Sequence, residues 1–245
     1  MHAPYIPCPR CPLRARGPFK QYDQDDIDFL NELKKEHAAA PAGQDLIVAD
    51  DPSPPLFTLF SGWAFRFKML PDGRRQILNF LLPGDFVGMQ AHMFEASPHG
   101  VQALTEVEMC IFHRSKVWEL YRAHPELAFD LTWLAAREEC LIDENLLSVG
   151  RRTALESVGA LLIHLYKRAF ALGLTINGGV QFPLTQTHIA DALGLSLVHT
   201  NKSLRKLAKM GLHDIRNGVL EIKNGRALEN LAQIFDDSLA ARPLL

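Results

Sequence analysis

The 245-residue chain has no apolar run approaching the roughly 18 residues that a membrane-crossing helix needs, so no membrane span is expected. Its N-terminus has no apolar signal core, and export is not expected either. Cysteine is scarce, with Cys8, Cys11, Cys110 and Cys140 alone, and disulfide stapling is not expected in a reducing cytoplasm. Charge of one sign is lacking as well. The formal net charge is −2, which taken alone argues against a nucleic-acid partner. That average conceals segregation, because residues 196–216 hold five Lys or Arg against the single acid Asp214. Phosphate attraction follows local charge rather than the total. Composition is otherwise ordinary, with 47% hydrophobic and 22% charged residues and room for two small domains. A cytoplasmic protein is expected.

What is present is concentrated in residues 183–212, PLTQTHIADALGLSLVHTNKSLRKLAKMGL. Thr185 or Thr187 is placed to cap a first helix with Ile189, Ala190 and Leu193 on its apolar side. Gly194 supplies a left-handed turn residue, and Ser196 caps a second helix. In that helix Leu197, Thr200, Leu204 and Leu207 share one face at spacings of three and four. Val198, His199, Asn201, Lys202, Arg205, Lys206 and Lys209 are left facing outward. Amide and cationic groups suit the base edges and phosphates of double-stranded DNA. Standing alone, the same pattern describes an ordinary helical hairpin with a solvated basic face. The next residues decide between the two. Asn217-Gly218 lies between two short apolar-containing runs, the strongest short-range signal for a tight β-hairpin. Residues 180–184 read as a small strand that completes the wing sheet, and the whole is a winged-helix DNA-binding module.

Upstream, residues 1–20 form a basic, proline-rich arm, and a short helix is expected from Asp25 to His37. From about Asp45 to Phe112 the periodicity is two. Trp63, Phe65, Phe67 and Met69 alternate with Ala64, Arg66, Lys68 and Leu70. Pro71-Asp72-Gly73 turns the chain into a returning strand at 76–82, with Arg74 and Arg75 expected as solvated charges. Pro83-Gly84-Asp85 turns it again, and short runs at 86–87, 101–103 and 107–112 complete an antiparallel barrel or jelly roll. Pro125 opens a long helix to about Ser148. Leu127, Leu131, Leu134, Glu138, Leu141, Asn145 and Ser148 make one heptad-like stripe; Phe129, Trp133, Ala136, Cys140 and Leu147 make a second. Two stripes imply burial on two sides, against the barrel and against a partner, with Leu134 and Leu141 expected at the partner; a helix buried only within its own chain is the alternative. A further helix over 153–171 is the base of the winged-helix domain.

This order of parts resembles the Crp/Fnr transcription regulators over about residues 45–222. The likeness is most specific in LPGDFVGMQ (82–90), LIDENLLSVGRR (141–152) and TQTHIADALGLSLVHTNKSL (185–204). The resemblance implies an α+β fold: an N-terminal β-roll (a double-stranded β-helix or jelly roll), a long dimerisation helix and a C-terminal winged helix-turn-helix. It implies an arm over 1–20, a cyclic-nucleotide-binding-like sensor over 21–124, a dimerisation helix over 125–150 and a DNA-binding domain over 151–245. It also implies a homodimer on a near-palindromic operator, activating transcription through RNA polymerase. The family's base-reading positions fall here on Val198, Asn201 and Lys202. Lys202 keeps a guanine-seeking cation without the fork of Arg, Asn201 suits adenine, and Val198 has no acceptor for cytosine. An operator unlike the family's common half-site is expected. Thr185, Gln186, Thr187 and His199 are expected at phosphates, and Ser196, Arg205 and Lys206 belong to the same DNA-contacting set.

Cyclic-nucleotide members of the family hold the phosphate with an Arg-Ser pair. The corresponding stretch here reads Ser97-Pro98-His99-Gly100-Val101, without a fixed cation, so an effector other than a cyclic nucleotide is expected. Oxygen-sensing members carry an iron–sulfur cluster on a Cys pair near the N-terminus, a third Cys six places on, and a fourth late in the barrel. Cys8, Cys11 and Cys110 match three of these, and Gly17 stands at the remaining position. The three are candidate iron–sulfur ligands, with zinc ligation, thiol redox chemistry and inert thiols as alternatives. A fourth ligand, Asp or His, has no sequence signature. Cys140 lies ~22 Å along the long helix from Pro125 at 1.5 Å per residue and is expected as a core or interface residue. His37, His92, His113, His124 and His164 lack metal-ligand spacing and are expected as surface or satisfied core residues. Two further readings remain. One is a regulator with a vestigial sensor, controlled by its own abundance. The other is a jelly-roll metalloenzyme, disfavoured because His92, His99 and His113 lack the usual close pair.

Overall fold

In the computed structural model, which describes residues 4–94, 96–234 and 241–245, Asp23 opens the first long element by accepting the Asp26 amide. Helix α1 (Gln24–Leu33) buries Phe29, Leu30 and Leu33. It stops short of the expected end at His37, because Lys34–Ala40 is a strand, β1. The sequence KKEHAAA has good helix propensity, yet it is drawn into antiparallel pairing with β8 (Val107–Phe112). Ladder pairing and burial here outweigh a local preference worth only tenths of a kcal/mol per residue, about 0 to 0.7.

Between them run β2 (Asp45–Ile47), β3 (Leu56–Ser61), β4 (Ala64–Met69), β5 (Arg75–Leu81), β6 (Phe86–Val87), a short helix α2 (Met89–Phe94) and β7 (Gly100–Ala103). Two four-stranded sheets result, in the orders β1-β8-β3-β6 and β2-β7-β4-β5. This is the expected β-roll. Its core joins Ile47, Phe57, Leu59, Leu81, Val87, Val101 and Val107, each at most 3% exposed. Complete burial of such side chains contributes about 1.5–3 kcal/mol apiece.

Helix α3 (Val117–Ala123) leads into α4, Pro125–Gly150. Leu127, Leu131 and Leu134 of α4 are buried in a cluster with Leu30, Leu33, Phe112 and Leu120. Helix α5 (Ala154–Ala171) starts with a capping box between Thr153 and Glu156. Then come β9 (Thr175–Ile176), β10 (Gly179–Gln181), α6 (Gln186–Leu193), α7 (Leu197–Lys209), β11 (His213–Arg216), β12 (Val219–Ile222) and α8 (Gly225–Ala232). The wing sheet has the order β11-β12-β10-β9, with Asn217 and Gly218 both at positive φ in the tight turn.

Two units emerge. One takes the chain up to Lys68, Phe80–Cys140 and residues 241–245; the other takes Met69–Asn79 and residues 141–234. The expectation of a last domain running unbroken to Leu245 therefore needs correction at its end. Arg242 is buried in the first unit, donating to Asp85 Oδ1 at 2.7 Å and to the Pro83 carbonyl at 2.6 Å. Its backbone exchanges bonds with Pro18 and Lys20, and its guanidinium lies 4.7 Å from the Phe19 ring centroid. Gly84, at φ +88°, is required between them: a Cβ there would fall 2.3 Å from Phe19 Cζ.

Candidate functional site

Both caps predicted for the helix-turn-helix are formed. Thr185 accepts the His188 amide, and its own amide donates to His188 Nδ1 at 3.1 Å, a capping box that uses histidine as its second member. Gly194 takes the left-handed conformation at φ 63°, and Ser196 accepts the His199 amide at 3.3 Å. The inner face of α7 is Thr200, Ser203, Leu204 and Leu207, all buried. Leu197 differs from expectation: it is 49% exposed, because it sits in the first turn, ahead of the packed stretch.

The outward face holds Val198, 74% exposed, with His199, Lys202, Arg205, Lys206 and Lys209 also exposed and Asn201 partly so. The Lys202, Arg205 and Lys206 side chains form no ion pair with another described residue, so their charge is available to phosphate. Thr185, Gln186 and Thr187 are exposed at the N-terminal end of α6, where free amides favour anions. His199 is partly committed, since its Nδ1 lies 3.2 Å from Ser196 Oγ. Arg75 is not the solvated charge expected: it pairs with Asp191 of α6 at 2.8 Å, and Gln76 donates to the Ala192 carbonyl. Arg74 pairs with Asp72 and remains largely exposed.

In the first unit, thiols from two stretches of chain about a hundred residues apart face the same cavity. Cys8, Cys11 and Cys110 line one cavity together with Arg14, Lys34 and Phe60. The arm that brings the pair is pinned by Cys8 N donating to Asn31 Oδ1 at 2.9 Å and by Lys34 Nζ donating to the Ile6 carbonyl at 2.6 Å. Burial pushes the Cys110 thiol up to about 12 and raises that of Cys8, while Lys34 and Arg14 pull the other way. Such thiols are neutral and poor nucleophiles unless something replaces their protons. Cys110 contacts His37, Sγ to Nε2 3.2 Å, a neighbour that no sequence spacing indicated. Among the described residues, no three His, Cys, Asp or Glu side chains gather closely enough to hold a metal ion as they stand. Cys140 is exposed on α4, apart from this cavity.

Where a cyclic phosphate would be sought, the Ser97 hydroxyl donates to the His99 carbonyl, and Arg66 is ion-paired with Glu138. His99 is buried, and its pKa is lowered to about 3, by burial first and then by Arg66 and Lys68.

Fold and site define a sensor-linked winged-helix regulator. A cyclic nucleotide-binding domain matches residues 38–124, and a Crp-like helix-turn-helix domain matches residues 156–231. The chain belongs to the Crp/Fnr family of transcription regulators. The transcriptional activator protein FnrL of Cereibacter sphaeroides is 32% identical over 208 residues, 84% of this chain and 83% of that protein. The nitrogen fixation regulation protein FixK of Bradyrhizobium diazoefficiens is 29% identical over 229 residues, 92% of this chain and 93% of its own. Among solved structures, FixK2 from Bradyrhizobium japonicum matches with a TM-score of 0.71 at 25% identity, covering 80% of this chain and 96% of that one. The family and fold expected from the sequence are thereby borne out. No helix among the described residues is long and apolar enough to cross a membrane.

Proposed function

We propose that the protein is a cytoplasmic, homodimeric transcription activator whose sensor unit responds to oxygen or redox state through a metal centre on Cys8, Cys11 and Cys110. The observation that carries this reading is the convergence of the three thiols on one cavity with two cations beside it. Three thiolates need positive charge nearby, and Lys34 and Arg14 are already in the wall. The residues fit an iron–sulfur centre in kind, and a bound centre of that type supplies redox-active iron whose potential its surroundings set. Cys8, Cys11 and Cys110 are the residues that would hold it. The occupied Ser97 and Arg66 support an effector other than a cyclic nucleotide.

On the DNA side, Val198, Asn201 and Lys202 are the base-reading residues. Thr185, Gln186, Thr187, Ser196, His199, Arg205 and Lys206 position the helix on phosphates. Dimerisation is supported by an apolar stripe left open on α4, where Phe129 is 66% and Leu147 43% exposed. Activation of transcription is supported by the similarity to FnrL, a transcriptional activator, and RNA polymerase is the partner that this reading requires. A regulatory rather than catalytic role is supported by family membership.

The test is operator selection from random duplexes, with anaerobic metal-loaded protein and with the same protein after exposure to air. The expected product is a near-palindrome with half-sites about 34–36 Å apart, bound more weakly after air. Recovery of unrelated, non-palindromic duplexes would refute the dimeric reader, and equal binding in both states would refute the sensor.

A further inference from the structure

His37 and Cys110 are direct partners across the β1–β8 ladder, so their side chains leave the sheet on the same face. Nε2 of His37 lies 3.2 Å from Cys110 Sγ. The other ring nitrogen, Nδ1, lies 3.0 Å from the carbonyl oxygen of Pro4. A carbonyl only accepts, so Nδ1 carries the ring proton and Nε2 presents its lone pair to the thiol. The ring packs edge-on against Phe60 with centroids 4.7 Å apart, and Phe60 is a wall of the cysteine cavity. A neutral imidazole with its lone pair forward and its other N–H tied to a backbone carbonyl is the state in which histidines bind metals.

We propose that His37 completes the ligand set of Cys8, Cys11 and Cys110, binding through Nε2 to the same metal atom as the Cys110 thiolate. The inference rests on reading that cavity as a metal centre. Metal–sulfur and metal–nitrogen bonds of about 2.3 and 2.0 Å at a tetrahedral angle set the two donors roughly 3.5 Å apart. The observed separation of 3.2 Å is close to that bite. Ligands that share a metal atom suit a cluster with two protein ligands per iron, or a single tetrahedral ion. They do not suit a four-iron cube, in which each iron takes one protein ligand. Cys8 and Cys11, with two residues between them, make the second pair with the spacing of a chelating C-x-x-C. Closing the ligand set requires these side chains to draw together, since among the described residues no three of them lie close enough to hold a metal ion. Binding releases three thiol protons to solvent and none from His37, and the new bonds draw the arm toward β8.

Full-length protein is loaded anaerobically with ferrous iron and sulfide, or with zinc alone, and retained iron, zinc and acid-labile sulfide are measured against a competing chelator. Wild type is expected to retain metal, His37→Ala to lose affinity by at least about 10-fold, and His37→Cys to recover it. Nitrogen hyperfine coupling in the electron-spin spectrum of the reduced iron form is expected for wild type and not for His37→Cys. Sulfide in the retained material identifies a cluster; zinc without sulfide identifies a single ion, and either accords with a shared metal atom. Equal retention by wild type and His37→Ala overturns the role of His37 while leaving the cysteine centre standing. A His37→Cys protein as weak as His37→Ala also overturns direct ligation. Folded wild type that retains neither metal defeats the cysteine centre itself.

Discussion

On the proposed reading, Lys202 is the residue on which sequence preference turns. It is exposed on α7 and forms no ion pair with another described residue, so it is the cation best placed for a guanine edge. Lys202→Ala is expected to weaken specific binding by about 1–3 kcal/mol and to relax one operator position. Lys206→Ala should instead weaken all sequences alike and shallow the salt dependence by about one. Mobility-shift titrations at several salt concentrations separate the two, and an unchanged preference in the Lys202 variant removes that residue from the readout. The caps at Thr185 and Ser196 were legible because a cap and its amide lie three residues apart. His37 was not legible. Its partner Cys110 is 73 positions away, and only strand register sets the two side by side.

At the scale of the element, α4 is the clearest case of a pattern read correctly and assigned to the wrong sides. Two apolar stripes are visible in its sequence, but sequence alone cannot say which stripe the barrel takes. Leu134, expected at a partner, is buried in the intrachain core with Leu127 and Leu131, and Leu141 is only half-exposed. The open stripe is Phe129, Ala136, Cys140 and Leu147, at the spacings of a coiled-coil seam, while Trp133 is half-buried against the intrachain core. Phe129→Glu is expected to yield a folded monomer by sedimentation, with a melting temperature close to that of the metal-free wild type under dilute conditions. Leu134→Glu is expected to lower stability, because it buries a charge among Leu side chains. A dimeric Phe129→Glu protein would place the interface elsewhere. The strands of the β-roll were legible through alternation and Gly-Pro turns. Strand β1 was not, because its alanines carry the signature of a helix.

For the whole molecule, pH enters through buried imidazoles. His99 has its pKa lowered to about 3, and His37, His92, His188 and His213 are lowered too, in each case chiefly by burial. In the unfolded chain they titrate near 6.5, so below that pH unfolding takes up protons that the folded state refuses. Stability should therefore fall as pH falls from about 6.5 toward 3, and thermal melts between pH 7 and pH 5 should show the decline. His99→Asn is expected to flatten that slope; a slope identical to wild type would contradict the assignment. The placement of residues 241–245 has a practical corollary for anyone who would rewire the regulator. Viewed as a cassette, the DNA-reading module is bounded on both sides by chain that belongs to the sensor unit. A promoter-specificity chimera thus needs two splice points around residues 141–234, one near Leu141 and one ahead of Arg242, and must carry Met69–Asn79 along with them. A graft with only the first would strip Asp85 of its buried guanidinium and remove Leu244 and Leu245 from the wall of the cysteine cavity, crippling the input while altering only the output.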